Sequence, residues 1–304
     1  MFVGHALLAF ALAVRGARRF SVSREWALRV GIVAALFAAV PDIDVVYAPV
    51  GLLLRSVETV SPTVFWETAN VIHRGPTHSL VIAGTLAVAA ALWSVDRPST
   101  RALATALGAA LVFVAGVVSG AVGGVVVLLF VVAGFAVATV AARRGIATRP
   151  LLGAALVGLL SHPFGDLFTG SPPALLYPFE ATLVAERVAL HPDPTAHLLA
   201  AFAVELGAVW LAVWTYTSLT DRRLVTLVDP RATLGLGYAA AALLLPAPTL
   251  ERSAHFVFSV VAVGVVATPT RPFSRGVDWH ETVVTGLSAV TVAAVAYALA
   301  YAVL

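Results

Sequence analysis

The sequence predicts an all-α protein, a polytopic transmembrane helical bundle of about eight to ten helices. Hydrophobic residues make up 60% of the chain and charged residues only 12%. The mean hydropathy is +0.95, whereas a soluble domain is about 45–50% apolar and about 25% charged. Apolar stretches recur along the whole chain, and this composition argues against a soluble globular fold.

The apolar stretches define the candidate helices. They are residues 2–14, 27–40, 79–95, 102–119, 122–142, 151–162, 196–218, 232–250, 254–269 and 282–304. Several are shorter than the roughly 20 residues that cross a hydrocarbon core of about 30 Å, and the short stretches 2–14, 27–40 and 151–162 carry or precede His and Asp residues. Short helices that end at polar residues predict a recessed site whose broken backbone is covered by protein.

Glycine and proline mark the breaks between these helices. Gly116, Gly120 and Gly124 have a spacing that suits close helix packing, but Ser119 and Gly123 interrupt the stretch and favour a tight turn. We divide the chain into a metal-site-bearing membrane domain at 1–195 and accessory transmembrane helices at 196–304. The proline-rich interval 163–195 cannot be regular helix in lipid, and we expect it to cover the site.

The arginines indicate how the chain faces the membrane. All 19 basic residues are arginine, and alternating the helices across the bilayer places 15 of them on one side, in loops 15–29, 96–101, 143–149, 221–231 and 270–281. Basic residues favour the cytoplasm, so the opposite, extracytoplasmic side receives His5 and the three polar clusters described next. We expect a multi-pass plasma-membrane protein with its site on that side.

The first cluster is Asp42 and Asp44, which follow the stretch 27–40. In extended backbone, side chains two residues apart point the same way and could share one ion, whereas in a helix they would diverge. Hard carboxylate oxygens suit divalent cations. A solvated turn after a helix is the alternative.

The second cluster, His73-Arg74-Gly75-Pro76-Thr77-His78-Ser79, precedes the stretch 79–95. A Gly-Pro turn can bring the two histidines to one point, and Thr77 is a candidate N-cap. Arg74 and the positive end of the helix would favour an anion such as phosphate beside the metal. A histidine pair that only packs is the alternative.

The third cluster is His162 and Asp166, four residues apart at the end of the stretch 151–162. On a helix they share a face, although Pro163 indicates a kink or a helix end there. Asp166 would then be a metal ligand or would accept the ring N–H of a ligand histidine. His5 lies at the start of the first helix on the same predicted side.

Together these residues predict a metal site with nitrogen and oxygen ligands. Cysteine is absent, so thiolate ligands and a cysteine nucleophile are excluded. A divalent ion is expected, with zinc favoured over manganese, magnesium or iron, and one metal or two would be possible. The predicted ligands are His5, Asp42, Asp44, His73, His78, His162 and Asp166.

The same segments resemble a known family. Pro41-Asp42-Ile43-Asp44, the His73–Ser79 block and His162–Thr169 are similar to the YdjM-like family of membrane-bound, predicted metal-dependent hydrolases, over about residues 1–180. The resemblance implies a metal region of Asp42, Asp44, His73, His78 and Asp166, with His5 at the family's early histidine. A more distant similarity to zinc phospholipase C and nuclease folds points to phosphoesters.

We therefore expect a membrane-embedded, metal-dependent hydrolase that acts on a phospholipid or another lipid-linked phosphoester. Asp44 or Asp166 would be the general base, and Arg74 would stabilise developing negative charge. No Gly-x-Ser-x-Gly motif occurs, which argues against a serine hydrolase. A pI of about 9.7 does not predict nucleic-acid binding in a membrane protein. The alternatives are a transporter or metal-handling protein that uses the cluster as a transit site, or a scaffold locked by polar contacts.

Overall fold

The computed structural model describes residues 3–47, 74–268 and 278–304, and throughout these ranges the regular structure is helical. The contacts divide the chain into two compact units, Met1–Arg187 (unit 1) and Val188–Leu304 (unit 2). The all-α prediction is confirmed. Within these ranges, five helical segments are long and apolar enough to cross a membrane: Arg24–Val45, Pro98–Arg143, Thr148–Phe168, Pro194–Leu219 and Trp279–Val303.

The described part of unit 1 contains five α-helices. They are α1 (Gly4–Arg18), α2 (Arg24–Ala39), α3 (Leu80–Trp93), α4 (Pro98–Arg143) and α5 (Thr148–Gly165). Local signals fix several helix ends. Ser23 caps α2 by accepting a hydrogen bond from the Trp26 N–H at 3.2 Å. Pro98 begins α4, at a position where a backbone N–H would have no partner within the helix. The helices pack around an alanine-rich core that includes Phe37, Leu86 and Phe130.

Helix α4 is a hairpin that reverses at Gly120. Its φ of 71° and ψ of −175° lie in a region that is essentially restricted to glycine. The two arms then run back along each other, because Gly116 contacts Gly124 and Gly108 contacts Val131. Each arm has roughly 22 residues, or about 33 Å of helix. The turn predicted from the sequence is therefore present, and the small residues beside it also allow the close approach.

The α-helices of unit 2 are α6 (Pro194–Leu219), α7 (Ala241–Leu244), α8 (Ala254–Ala267) and α9 (Trp279–Val303). The core includes Phe256, Val260, Ala293 and Tyr297. The prediction of one helix over 232–250 is wrong: a 3₁₀ helix, Pro230–Ala240, leads into the single turn of α7. Two glycines in this stretch weaken α-helix preference, Gly235 packs on the backbone of α9 at Ala289, and Pro246 prevents continuation.

The arginine residues and the His and Asp residues of unit 1 lie at different helix ends, as the sequence predicts. The loops that join α1 to α2, α3 to α4, and α4 to α5 contain the arginine-rich ends of these helices. The start of α1, the end of α2, the start of α3 and the end of α5 carry the His and Asp residues. The helices between these ends are apolar, so the unit has one basic end and one end with the candidate site.

The approach of α5 to α2 depends on Gly158. A Cβ added there would lie 2.4 Å from the Ala34 carbonyl oxygen and 2.8 Å from the Ala38 nitrogen, and backbone atoms cannot move aside cheaply. We expect Gly158→Ala to lower the free energy of unfolding by about 1–3 kcal/mol, measured by thermal unfolding in detergent. Gly153 on the same helix has open space around it, so Gly153→Ala is the control and should be neutral or slightly stabilising. Equal stability of the two variants would contradict the packing described.

Candidate metal centre

Four distant segments meet at one end of unit 1. His5 comes from the start of α1, Asp42 and Asp44 from the segment after α2, His78 from the segment before α3, and His162 and Asp166 from the end of α5. The side chains of His5, Asp44, His78, His162 and Asp166 are almost fully buried. Asp42 is the accessible member, with 26% of its side chain exposed. His73, a predicted ligand, lies outside the described residues.

The carboxylates of Asp42 and Asp44 do not point the same way. The segment Pro41–Tyr47 is a 3₁₀ helix rather than the extended backbone that a shared orientation requires. In a helix, side chains two residues apart diverge. Asp42 therefore reaches the Nε2 side of His78 at 3.9 Å, whereas Asp44 reaches its Nδ1 side at 3.5 Å.

His162 is oriented by the backbone of α2. Its Nδ1 lies 2.7 Å from the Ala38 carbonyl oxygen, and because a carbonyl only accepts, Nδ1 carries the hydrogen. In the neutral ring Nε2 is then an acceptor. Gly158, one helical turn earlier, permits the close packing that makes this bond possible. Helix α5 continues through Pro163 to Gly165, so His162 and Asp166 share a face, with Nε2 and Oδ2 3.9 Å apart.

His78 is oriented by a threonine and a carboxylate. The Thr77 hydroxyl donates to Asp44 Oδ2 at 2.8 Å and therefore accepts from His78 Nδ1 at 3.0 Å. The Nε2 of His78 is then also an acceptor in the neutral ring. The N-cap prediction for Thr77 is wrong: Ser79 caps α3 by accepting from Val81 and Ile82, since Thr77 lies in the preceding 3₁₀ turn Pro76–His78.

The acceptors of these residues face one another. The Nε2 atoms of His78 and His162 are 3.0 Å apart. Asp42 Oδ1 lies 3.4 Å from the Nε2 of His162, and Asp166 Oδ2 lies 3.2 Å from that of His78. Two lone pairs and two carboxylates in a buried space repel unless a cation or protons lie between them.

His5 completes the cluster from the side of α1. Its ring stacks on His162 with centroids 4.0 Å apart, and its Nε2 lies 3.3 Å from Asp166 Oδ1. Two groups of potential ligands result, His5 with His162 and Asp166, and Asp42 with His78 and His162. Because Nδ1 of His162 is bonded to the Ala38 carbonyl, only Nε2 of this ring could bind a metal ion, and it could bind only one.

The donor set fits a divalent metal ion. Two nitrogens bound at about 2.1 Å are about 3.4 Å apart at the tetrahedral angle and about 3 Å apart at a right angle, and the two Nε2 atoms lie 3.0 Å apart. Both rings have their other nitrogen held by an acceptor, as is usual for metal-binding histidines. Imidazole and carboxylate donors without thiolate suit zinc, manganese or iron.

Arg74 borders the cluster but is directed at Asp166. Its guanidinium lies 3.4 Å from Asp166 Oδ1 and donates to the Ser171 carbonyl at 2.8 Å and the Thr169 hydroxyl at 3.0 Å. Burial lowers the pKa of Arg74 and the Asp166 carboxylate raises it, but a guanidinium remains charged. The basic group therefore offsets part of the negative charge of the cluster.

Several contributors were not predicted as functional residues. Gly158 approaches the backbone of α2 and Gly170 approaches Arg74, and residue spacing carries no signal for such contacts. Nor does the sequence indicate that the Ala38 carbonyl orients a histidine. Thr169 ends a segment that carries the family resemblance, and Thr77 lies between Arg74 and His78, but the sequence predicts no role for Thr169 and only a helix cap at Thr77.

Comparison with known proteins supports the family resemblance. The model of the YdjM inner membrane protein family matches residues 1–123, which confirms the resemblance over a shorter span than the 1–180 expected. The match and the apolar helices define a membrane protein whose first part is similar to YdjM inner membrane proteins. The matched span includes His5, Asp42, Asp44 and His78, whereas His162 and Asp166 lie beyond it. No curated protein and no solved structure matches the chain.

The bond between Thr77 and Asp44 can be tested by substitution. Thr77→Val keeps the shape of the side chain but removes a hydrogen bond from a fully buried carboxylate, so we expect a loss of about 1–3 kcal/mol in the free energy of unfolding. Thr77→Ser retains the hydroxyl and should behave like the wild type. Thr85, whose hydroxyl bonds back to Val81 within α3, provides the control Thr85→Val. A Thr77→Val protein as stable as that control would contradict the assignment.

Proposed function

We propose that the protein is a membrane-embedded, metal-dependent hydrolase acting on a phosphoester, with a phospholipid or another lipid-linked phosphoester as substrate. The observation that supports this most strongly is the meeting of His78 and His162 through Nε2, with each Nδ1 held by an acceptor. His5 and Asp42 add donors from two further segments, and Asp166 adds one from the same segment as His162. We propose zinc as the ion, with manganese or iron as the alternatives.

The residues divide into ligands and supporting groups. We propose His5, His78, His162, Asp42 and Asp166 as the ligand set, since their ligand atoms form two groups of three that share His162. Asp44 instead approaches Nδ1 of His78, so we propose that it fixes the orientation of that ring rather than binding the ion or acting as base. A bound divalent ion would lower the pKa of a coordinated water toward 7 and polarise a phosphoryl oxygen.

Asp42 is also the best candidate for the general base, through the carboxylate oxygen that does not bind the ion. It is the one carboxylate of the described cluster with substantial exposure, while Asp44 and Asp166 are buried. A base must reach a proton on a water that enters from solvent. Asp42 lies at this accessible edge and within 3.4 Å of His162 Nε2.

The surroundings favour an amphiphilic substrate. Phe164, between His162 and Asp166 in sequence, is 49% exposed, and Val3, two residues before His5, is 58% exposed. Apolar side chains at the margin of a polar centre suit a molecule with an acyl chain and a charged headgroup. Such a substrate would reach the site by lateral diffusion in the bilayer.

The structure favours hydrolysis over transport. In the described part of unit 1, the buried polar and charged side chains are His5, Asp44, Thr77, His78, Ser79, His162 and Asp166, all at the site end. The core toward the basic end consists of side chains such as Ala34, Leu86 and Leu151. A transit route needs polar groups that continue across the bilayer.

The hydrolase proposal is tested with purified protein in detergent. We expect a panel of p-nitrophenyl phosphate, bis(p-nitrophenyl) phosphate and a phospholipid in mixed micelles to include a substrate whose hydrolysis stops after EDTA treatment and returns with zinc or manganese. Asp42→Asn should lower kcat/KM by about 10²–10⁴-fold. Asp96→Asn at the basic end of unit 1, with 93% of its side chain exposed, is the control. Metal-independent turnover, no turnover of any panel member, or full activity of Asp42→Asn would contradict the proposal.

We also propose that the site end of unit 1 faces away from the cytoplasm, because the opposite end carries the arginine-rich loops. The chain has no cysteine, so a single introduced cysteine would report on which side of the membrane its position lies. Ala181→Cys, exposed in the loop after α5, should react with a membrane-impermeant maleimide in intact cells. Ala147→Cys, exposed at the basic end, should react only after permeabilisation. The reverse labelling pattern would overturn the orientation.

A further inference from the structure

A loop after α5 lies directly against the segment that carries Arg74 and His78. The loop, residues 169–177, donates from Ala174 N to the Arg74 carbonyl and accepts from Leu80 N at the Leu175 carbonyl, both at 2.9 Å. The Ser79 hydroxyl also donates to the Tyr177 carbonyl at 2.7 Å. This loop is part of the proline-rich interval expected to cover the site, and its position is fixed by backbone contacts.

The guanidinium of Arg74 joins this loop to Asp166. Two of its contacts are with Asp166, at the carbonyl and at Oδ1, both 3.4 Å. The other two are the shorter bonds to Thr169 and Ser171. Four of the five N–H groups of the side chain are therefore used within the protein. A group held in this way is poorly suited to bind the phosphate of a substrate.

Gly170 leaves the space in which the guanidinium lies. Its φ of +62° is unfavourable for other residues, and a Cβ there would be 2.6 Å from the NH1 atom of Arg74 and 3.1 Å from Cζ. Any side chain at 170 would push the guanidinium away from Thr169 and Asp166. Gly170 therefore allows the guanidinium of Arg74 to reach Thr169 and Asp166.

We propose that Thr169 and Gly170 are positioning residues that act through Arg74. They fix the guanidinium, and the guanidinium holds the Asp166 carboxylate, whose Oδ1 approaches His5 at 3.3 Å and whose Oδ2 approaches His78 at 3.2 Å. The loop thereby sets the affinity of the site for its metal ion. This inference rests on the metal centre of the proposed function, and it replaces the anion-binding role that the sequence suggested for Arg74.

The test is the affinity of the full-length protein for Zn²⁺, measured by competition with a chromogenic chelator. We expect Gly170→Ala and Arg74→Ala each to weaken binding by about 10–100-fold, as loss of outer-shell partners does. The double variant should bind like Arg74→Ala alone, because the glycine acts only through the arginine. Gly145→Ala is the matched control, since Gly145 also has a positive φ, of +81°, but no atom near its missing Cβ.

A second pair of variants separates positioning from a general loss of structure. Thr169→Val should weaken Zn²⁺ binding and shift the visible absorption of bound Co²⁺, and Thr169→Ser should restore both. Wild-type affinity in Gly170→Ala and Thr169→Val, or multiplying effects in the double variant, would overturn the positioning role while leaving the metal centre intact. A wild-type protein that binds neither Zn²⁺ nor Co²⁺ would overturn the metal centre itself, and the positioning role with it.

Discussion

The contact between the Nε2 atoms of His78 and His162 is the constraint on which the site depends. Each ring has its Nδ1 hydrogen directed to an acceptor, the Ala38 carbonyl in one case and the Thr77 hydroxyl in the other. Two lone pairs then meet at 3.0 Å in a space that also receives the Asp42 and Asp166 carboxylates. Such an arrangement is unfavourable without positive charge between the groups, and a bound divalent cation would supply it.

The apolar bundle and the polar centre depend on each other. Alanine and glycine let the helices of unit 1 approach closely, so that a backbone carbonyl of α2 can orient a histidine of α5. The same close packing removes water from the centre and strengthens the electrostatic interactions within it. Arg74 and the loop 169–177 add a third layer, which contacts Asp166 at Oδ1, the oxygen that also faces His5. Asp42 is the accessible edge of the cluster, where we propose that water enters.

Alternating the helices across the bilayer predicts that the polar clusters lie on one side of the membrane, and the ligands predicted there are His5, Asp42, Asp44, His73, His78, His162 and Asp166. The sequence does not separate Asp42 from Asp44, since that distinction depends on whether the backbone is extended or 3₁₀. The contributions of Gly158 and Gly170 depend on close approaches between distant segments, which no spacing along the chain encodes. The stretch 232–250 was hydrophobic enough for a helix, but hydrophobicity does not distinguish α from 3₁₀ winding.

X-ray absorption at the zinc edge of the purified, zinc-loaded protein tests the central claim most directly. We expect one tightly bound ion with two or three imidazole nitrogens at about 2.0–2.1 Å and carboxylate oxygens in the remaining positions. The imidazole signal should fall in His162→Ala and remain in His255→Ala, since His255 belongs to unit 2 and bonds to the Pro246 carbonyl. A protein that retains no ion, or an ion surrounded only by oxygen, would contradict the account.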